Sequence, residues 1–318
     1  MKRPLARTNR LVHPVGLGCM GLSWAYHEKA VEDSEGVRLI RRAIGLGVDH
    51  LDTSDAYGPH TNEQLVGNAI AGLREKVVVA TKAGLVMKGT TAREGYNRNG
   101  RPEYIRAACE ASLSRLKIDV IDLYYLHRID PATPVEDSWG EMSRLVAEGK
   151  VRWLGISEPK VPDLERVSRI HPVTAVQSEL SLWTRDYLSD VVPWCADNGA
   201  SFVAFSPLGR GFLTGKFSSD ARFTGGDFRA SLPRFTPDAI AANQRIVEAV
   251  RAVADRHGVT PAQIALAWVL AQGKHVLAIP GTRTEKYLEQ NVAAADLTLT
   301  EDEIAELDAI PAPVGGRY

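Results

Sequence analysis

Eight short apolar segments recur along the whole chain, separated by longer amphipathic stretches. Several are rich in Val and Ile, as expected of strands that are buried on both faces of a parallel sheet. They span residues 14–21, 50–54, 77–82, 121–127, 151–157, 174–180, 201–207 and 275–281. The alternation continues over residues 1–318 without a domain-sized break. It therefore predicts an α/β fold with one domain, a (β/α)8 TIM barrel.

A doubly wound open sheet is the alternative fold for such an alternation. That fold would carry a glycine-rich dinucleotide fingerprint after its first strand. The glycine cluster GLGCMG at 16–21 lies at that place, but a glycine cluster at a strand end is weak evidence. We therefore favour the barrel.

Helices are predicted between the apolar segments, and several have recognisable starts. They cover 34–47, 61–73, 101–116, 133–150 and 260–273. Thr61 opens a capping-box pattern, and Thr133 and Thr260 are each predicted to cap a helix with Pro in its first turn. Pro102 suits a first turn in the same way.

Four segments fall outside the regular alternation. The first ten or so residues are expected to form a small hairpin or plug at the bottom of the barrel. Loops are expected at 22–32, 84–100 and 207–237, each after a strand. Because barrels place their active sites at the carboxyl ends of the strands, we expect these loops to border the active site.

Composition excludes several classes of protein. The hydrophobic fraction is 44% and the formal net charge is -1, so no overall charge favours nucleic acid or a membrane surface. The 3 cysteines are far apart and form no CxxC motif, which argues against a disulfide framework. The first residues lack the apolar core of a signal peptide, and no apolar run approaches a membrane span. We expect a cytoplasmic protein.

Ionisable side chains end three of the apolar strands. Asp52 and Tyr57 lie in LDTSDAYG, Lys82 in VVVATKAG and His127 in LYYLHRID. A lysine ammonium beside Tyr57 would lower the phenol's pKa and make it a better proton donor, and Asp52 could keep the lysine charged. His127 could hydrogen-bond a carbonyl oxygen. This set of groups indicates reduction of a carbonyl.

Other chemistries have weaker support in the sequence. The histidines form no HxH or HExxH motif, the carboxylates lack EF-hand spacing, and there is no GxSxG elbow, so no metal is expected. Asp52 and Asp55 could suggest a glycosidase, but their spacing does not fix a carboxyl separation. A metal-free barrel hydrolase or lyase remains an alternative.

The chain resembles the aldo-keto reductases over nearly its whole length. The segments LDTSDAYG, ATKAG, LYYLHRIDP, EGKVRWLGISE, AVQSELS, FSPLGRG and IPGTRTEKYLEQN are similar to that family's successive signatures, in the same order. NGRPEYIRAACEASLSRL and YYLHRIDP resemble a bacterial, fungal and plant branch that includes pyridoxal and perakine reductases.

The resemblance implies an oxidoreductase that binds NADPH in extended form and transfers a hydride to an aldehyde or ketone. Tyr57 would donate the proton, and Lys82 and Asp52 would adjust the pKa of its phenol. His127 would orient the carbonyl. NADH is the less expected cofactor. The other implied partner is a small carbonyl substrate, and the expected oligomeric state is a monomer, with a homo-oligomer as the alternative.

Cofactor residues are implied in three groups. Ser157 and Gln177 would hold the nicotinamide carboxamide, with Glu158 where better-known members have Asn. Phe205 would stack on the nicotinamide, where Tyr is common. The implied positions around the phosphates and adenine are Ser206, Leu208, Arg210, Gly281, Thr282, Arg283, Gln290 and Asn291.

Two substitutions leave the NADPH preference open. Many relatives carry a lysine where this chain has Gly281, and an arginine where it has Tyr287. Arg283 and Lys286 are the remaining candidate cations for the 2′-phosphate, and Arg suits bidentate phosphate binding.

Trp24, Tyr26 and Arg128 follow strands and are candidate walls of the substrate pocket. A second functional hypothesis is a regulatory protein that has the barrel and binds the cofactor but does not turn over a substrate, similar to the β-subunits of potassium channels.

Overall fold

The computed structural model describes residues 1–26, 30–90, 94–223 and 226–318. The strands are β1 (Arg3–Pro4), β2 (Leu11–Val12), β3 (Leu17–Gly18), β4 (His50–Asp52), β5 (Val78–Ala83), β6 (Leu85–Met87), β7 (Tyr96–Arg98), β8 (Ile121–Leu126), β9 (Val151–Ser157), β10 (Ala175–Glu179), β11 (Ser201–Phe205) and β12 (Val276–Ala278). The helices are α1 (Met20–Ser23), α2 (Asp33–Gly45), α3 (Thr61–Ile70), α4 (Pro102–Leu116), α5 (Val135–Ala147), α6 (Val161–Ser168), α7 (Val191–Asn198), α8 (Pro237–His257), α9 (Pro261–Ala271), α10 (Glu285–Ala293) and α11 (Glu301–Asp308).

Eight parallel strands form the central sheet, in the order β3-β4-β5-β8-β9-β10-β11-β12. Its two edges meet through a parallel bridge between Val15 and Ala278. At this seam Gly16 N donates to the Ala278 carbonyl at 2.8 Å, and Ala278 N donates to the Pro14 carbonyl at 2.9 Å. The sheet is therefore closed, and the predicted (β/α)8 barrel is confirmed. The open-sheet alternative is wrong.

Glycines in GLGCMG allow the seam to close. A Cβ on Gly18 would lie 2.6 Å from the Ile279 carbonyl oxygen, and one on Gly281 would lie 2.9 Å from the Gly18 carbonyl oxygen. Contacts this short to backbone atoms leave no room for a side chain. The cluster has the spacing of a dinucleotide fingerprint, but its glycines bring the first and last strands of the barrel together.

Two apolar layers hold the barrel. The larger one lies between the sheet and the surrounding helices and includes buried aromatic residues such as Trp139 and Trp268. The smaller one fills the inside of the barrel, where Tyr125 and Leu123 pack against Leu5 and Val12. The last two belong to the antiparallel hairpin of β1 and β2. The predicted hairpin plug at the start of the chain is therefore confirmed.

The helices match their predicted positions, but two of the predicted caps are wrong. Thr260 caps α9 as predicted, since its hydroxyl accepts from Gln263 N and the Gln263 side chain accepts from Thr260 N. In contrast, the left-handed residue His60 precedes α3, and the Thr61 hydroxyl donates to the Gly58 carbonyl. Pro134 precedes α5, and the Thr133 hydroxyl bonds Asp130 instead of capping the helix.

The predicted loops contain more regular structure than their composition suggests. In 84–100, β6 and β7 pair as an antiparallel hairpin. In 207–237, short 3-10 turns cover Gly209–Thr214, Phe228–Ser231 and Pro233–Phe235. Parts of the predicted loops, residues 27–29, 91–93 and 224–225, lie outside the described residues.

Within the described ranges, no helix is long and apolar enough to cross a membrane.

Gly67 in α3 lets this helix approach α4 closely, and this contact can be tested against a second helical glycine. A Cβ on Gly67 would lie 2.6 Å from the Leu116 carbonyl oxygen, whereas Gly140 in α5 has nothing within 4 Å. We expect Gly67→Ala to lower the free energy of unfolding by about 1–3 kcal/mol, because the added methyl group would clash with the Leu116 carbonyl oxygen. Gly140→Ala should raise the free energy of unfolding by about 0.5–1 kcal/mol, because alanine has a higher helix propensity than glycine. Urea unfolding of both variants checks this, and equal shifts would contradict the packing argument.

Candidate active site

The structure brings together the four predicted catalytic residues at the carboxyl ends of β4, β5 and β8. Lys82 Nζ lies 2.5 Å from Asp52 Oδ1, 2.8 Å from the Thr53 carbonyl oxygen and 3.3 Å from the Tyr57 hydroxyl. The rings of Tyr57 and His127 meet edge to face with centroids 6.0 Å apart. Lys82 has no exposed surface and Asp52 is only 2% exposed, so the ion pair lies in the interior.

Gln177 holds the second oxygen of the same carboxylate. Its Nε2 donates to Asp52 Oδ2 at 2.7 Å, while Lys82 occupies Oδ1. A buried carboxylate needs partners on both oxygens, and here an ammonium and an amide supply them. The fixed carboxylate in turn fixes the direction of the lysine ammonium toward Tyr57.

The pKa of Tyr57 differs from the sequence-based expectation. Burial raises the pKa of the Tyr57 phenol above its usual value, and the Lys82 ammonium only partly offsets this. For Lys82, burial would lower the pKa, but Asp52 and Tyr57 together raise it. Lys82 does lower the Tyr57 pKa, as expected, but burial of the phenol outweighs this effect and the net shift is upward. Lys82 stays charged beside a neutral phenol.

His127 is held as a neutral imidazole. Burial, Arg128 and Lys82 all lower its pKa, well below the usual value. The Ser54 hydroxyl lies 3.2 Å from His127 Nδ1. A hydroxyl that donates to Nδ1 leaves the proton of the neutral ring on Nε2, which can then donate a hydrogen bond.

Ser54 and Asp55 lie behind His127, where the sequence analysis assigned no residue. Ser54 Oγ also lies 3.2 Å from Asp55 Oδ1. Burial and the neighbouring Glu63 raise the pKa of Asp55 to about 8. Beyond it, Glu63 binds Arg115 and Thr81, each at 2.6 Å. Polar contacts thus lead from Asp55 through Ser54 to His127, with the Glu63 carboxylate of α3 acting on Asp55 as a nearby like charge. The sequence signal for this contact is Asp55, which the motif analysis weighs only as one of a possible glycosidase pair.

Ser157, at the end of β9, is linked to the predicted pocket residue Arg128. Arg128 Nη1 donates to Ser157 Oγ at 2.8 Å and to the His127 carbonyl at 2.6 Å. The next residue, Glu158, has a left-handed backbone with φ 58°. Its Oε1 accepts from Glu179 N at 3.0 Å. The residues expected around a carboxamide therefore lie side by side on β9 and β10.

Phe205 and Arg210 lie on the same side of the barrel mouth. Phe205 ends β11 and is half-buried. The Arg210 guanidinium is turned toward Glu179, with Nη2 3.3 Å from Oε2. Arg317 also binds Glu179, through Nε at 2.7 Å, and its guanidinium carbon lies 5.6 Å from the centroid of the Phe205 ring. Nothing in the sequence analysis pointed to Arg317.

The segment after β12 presents cations beside the barrel seam. Arg283 Nε donates to the Gly21 carbonyl at 2.6 Å, and its buried Nη2 has no hydrogen-bond partner among the described residues. Lys216, from the 207–237 loop, lies with Nζ 3.3 Å from the centroid of the Tyr287 ring. It therefore places a positive charge at Tyr287, the position where the family resemblance implied an arginine in many relatives. The predicted adenine contacts Gln290 and Asn291 lie on α10.

Trp24 and Tyr26 follow β3 at the barrel mouth, and the Tyr26 side chain hydrogen-bonds Ser206, which follows β11. The Trp24 ring is 6.0 Å from the Tyr57 ring between centroids. The Arg229 guanidinium lies 5.2 Å from the centroid of the Tyr26 ring. Phe228 N donates to the Ala25 carbonyl at 2.8 Å, so the segments after β3 and β11 are joined above the site.

Comparisons with known proteins identify the family. Residues 14–312 match the sequence profile described as "Aldo/keto reductase family". The chain belongs to this family. It is 43% identical over 311 residues to the Glycine max protein named "Probable aldo-keto reductase 1", covering 96% of this chain and 88% of that protein.

Two solved structures support the same assignment. The glycerol dehydrogenase of Gluconobacter oxydans is 29% identical and superposes with a TM-score of 0.88, over 100% of this chain and 98% of its own. An aldo-keto reductase of Klebsiella pneumoniae, solved in complex with NADPH, is 28% identical with a TM-score of 0.76. That match covers 98% of this chain and 96% of the Klebsiella chain.

Asp55 makes stability depend on pH in a predictable direction. Its pKa is about 8 in the folded protein, well above the usual value of an aspartate, so the folded state holds a proton that the unfolded chain loses. The stabilisation is complete below about pH 4 and is lost as the pH rises through about 8. In Asp55→Asn this dependence disappears, so the variant's Tm relative to wild type should rise by roughly a few degrees between pH 6 and 9. A constant difference in Tm would contradict the burial of an acid here.

Proposed function

We propose that the protein is an NADPH-dependent reductase of aldehydes or ketones. The observation that carries this proposal is the buried Lys82 ammonium, which lies between the Asp52 carboxylate at 2.5 Å and the Tyr57 hydroxyl at 3.3 Å. The neutral His127 ring packs against the ring of Tyr57 in an edge-to-face arrangement. This arrangement offers a proton donor and a second hydrogen-bond donor to one oxygen atom.

The residues divide the work of stabilising an alkoxide. As negative charge develops on the substrate oxygen, the Tyr57 phenol gives it a proton, and the Lys82 ammonium stabilises the phenolate that remains. His127 donates from Nε2 to the same oxygen and orients the carbonyl. Asp52 keeps the lysine charged in the interior, where an unpaired ammonium would lose its proton. The nicotinamide, when bound, supplies the hydride.

The chain's own residues fit a nicotinamide cofactor with a phosphate. Arg283 has a buried Nη2 that finds no hydrogen-bond partner in the described part of the chain, and buried polar groups are rarely left unpaired. A phosphate oxygen would satisfy it. Gln177 Nε2 is committed to Asp52, which leaves its carbonyl oxygen to accept from a carboxamide. Ser157 and the Phe205 ring complete the predicted nicotinamide position. The NADPH complex of the Klebsiella relative supports this assignment.

Replacing the proposed proton donor tests the mechanism. Tyr57→Phe should bind NADPH as wild type does but lose roughly 10²–10⁴-fold in turnover of an aromatic aldehyde such as 4-nitrobenzaldehyde, because only the hydroxyl is removed. Cofactor binding is measured by titration and turnover by cofactor absorbance. The matched control is Tyr124→Phe, which removes a buried hydroxyl bonded to the Ile105 carbonyl outside the site.

Two results would contradict the proposal, and each of them rejects a different part of it. If Tyr57→Phe turns over at the wild-type rate, the role of Tyr57 is wrong. If the wild type binds NADPH tightly but reduces no member of a broad carbonyl panel, a cofactor-binding regulatory barrel explains the protein better.

Arg283 tests the preference between the two nicotinamide cofactors. Arg283→Ala should weaken NADPH binding roughly ten- to hundredfold, as for a lost charge-assisted hydrogen bond, and leave NADH binding nearly unchanged. Arg283→Lys keeps the charge and should lose less. Because NADH lacks the 2′-phosphate, an equal loss for both cofactors would show that Arg283 only supports the local structure through its bond to the Gly21 carbonyl.

A further inference from the structure

Residues 314–318, here called the strap, run back across the barrel mouth. Val314 and the fully buried Asn243 of α8 exchange two hydrogen bonds, Val314 N to Asn243 Oδ1 at 2.8 Å and Asn243 Nδ2 to the Val314 carbonyl at 3.0 Å. Arg234 Nε donates to the Gly315 carbonyl at 3.2 Å. Gly315 has φ 94°, and a Cβ there would lie 3.0 Å from the Pro233 carbonyl oxygen. The path of the strap is therefore fixed before it reaches residue 317.

Arg317 binds two carboxylates at once. Its Nη1 lies 2.7 Å from Glu158 Oε2 and its Nε lies 2.7 Å from Glu179 Oε2. The side chains of Arg317, Glu158 and Glu179 are 15%, 12% and 3% exposed, so these charges are largely shielded from water. Arg210 adds a second guanidinium at 3.3 Å from Glu179. Within this cluster two carboxylates and two guanidinium groups therefore balance, while Arg128 and Arg234 add positive charge outside it.

The balanced cluster lies among residues assigned to the nicotinamide. Glu158 follows Ser157 directly, and its other oxygen is held by Glu179 N, so the carboxylate has a fixed place. The Arg317 guanidinium carbon lies 5.6 Å from the centroid of the Phe205 ring. Removal of Arg317 would take from Glu158 its ion-pair partner and make this position more negative by one charge.

We propose that Arg317 sets the charge next to the nicotinamide and thereby the relative affinity for the oxidised and reduced cofactor. This inference rests on the proposed function. The oxidised nicotinamide ring carries a positive charge, and the reduced ring is neutral. An unpaired Glu158 carboxylate would attract the oxidised ring and leave the reduced one almost unaffected. With Arg317 in place this attraction is cancelled, so the oxidised product is not retained.

The test compares two dissociation constants in variants of opposite charge. NADPH and NADP⁺ are titrated separately by tryptophan fluorescence quenching, at low salt and pH 8, where a carboxylate is ionised. Arg317→Ala should raise the ratio of the NADPH constant to the NADP⁺ constant roughly tenfold. Glu158→Gln leaves a net positive charge and should lower that ratio. The double variant should return close to the wild-type ratio.

Controls separate charge from structure. Arg317→Lys retains the charge and should keep the ratio, and Arg256→Ala removes an exposed arginine paired with Glu306 on the surface and should leave both constants unchanged. If Arg317→Ala weakens both cofactors by the same factor, the strap is only structural and the inference is wrong. If Arg317→Ala does not fold, an unchanged ratio in Glu158→Gln overturns it. If the wild type binds neither cofactor, the proposed function itself fails.

Discussion

The fully buried Lys82 ammonium is the constraint on which the site depends. A charge in the interior is tolerated only with a partner of opposite charge and hydrogen bonds to its remaining protons. Asp52 and the Thr53 carbonyl meet this demand from the neighbouring strand β4. Gln177 reaches the same carboxylate from β10, across the barrel. The arrangement exists only when the sheet is closed, so the fold and the chemistry depend on each other.

Closure of the sheet also assembles the proposed cofactor site from distant parts of the chain. At the seam, Gly18 and Gly281 bring two backbones into direct contact. This contact places Arg283 against the Gly21 carbonyl. Ser157 and Phe205 lie further around the same rim, on β9 and β11. Small residues at the seam and functional side chains around the rim therefore serve one end of the barrel.

The sequence predicted features that depend on local pattern and missed those that depend on contacts. Short apolar strands can be recognised in the sequence by inspection. The ionisable residues that end them, such as Lys82 and His127, can be recognised in the same way. The pKa of Tyr57 depends on its burial, which no motif reports. The sequence around Thr61 fits the pattern of a helix cap. In the structure, however, the residue that precedes α3 is His60, which has a left-handed backbone conformation. The pairing of Arg317 with Glu158 joins segments far apart in the chain.

The hydrogen bond from Phe228 N to the Ala25 carbonyl ties together two segments that are about two hundred residues apart in the chain. The Arg229 guanidinium over the Tyr26 ring adds a second link. A substitution on either segment is therefore transmitted to the other, since neither can shift alone without breaking both contacts. Divergence of substrate preference in such a barrel would require paired changes, one in the segment after β3 and one in the segment after β11.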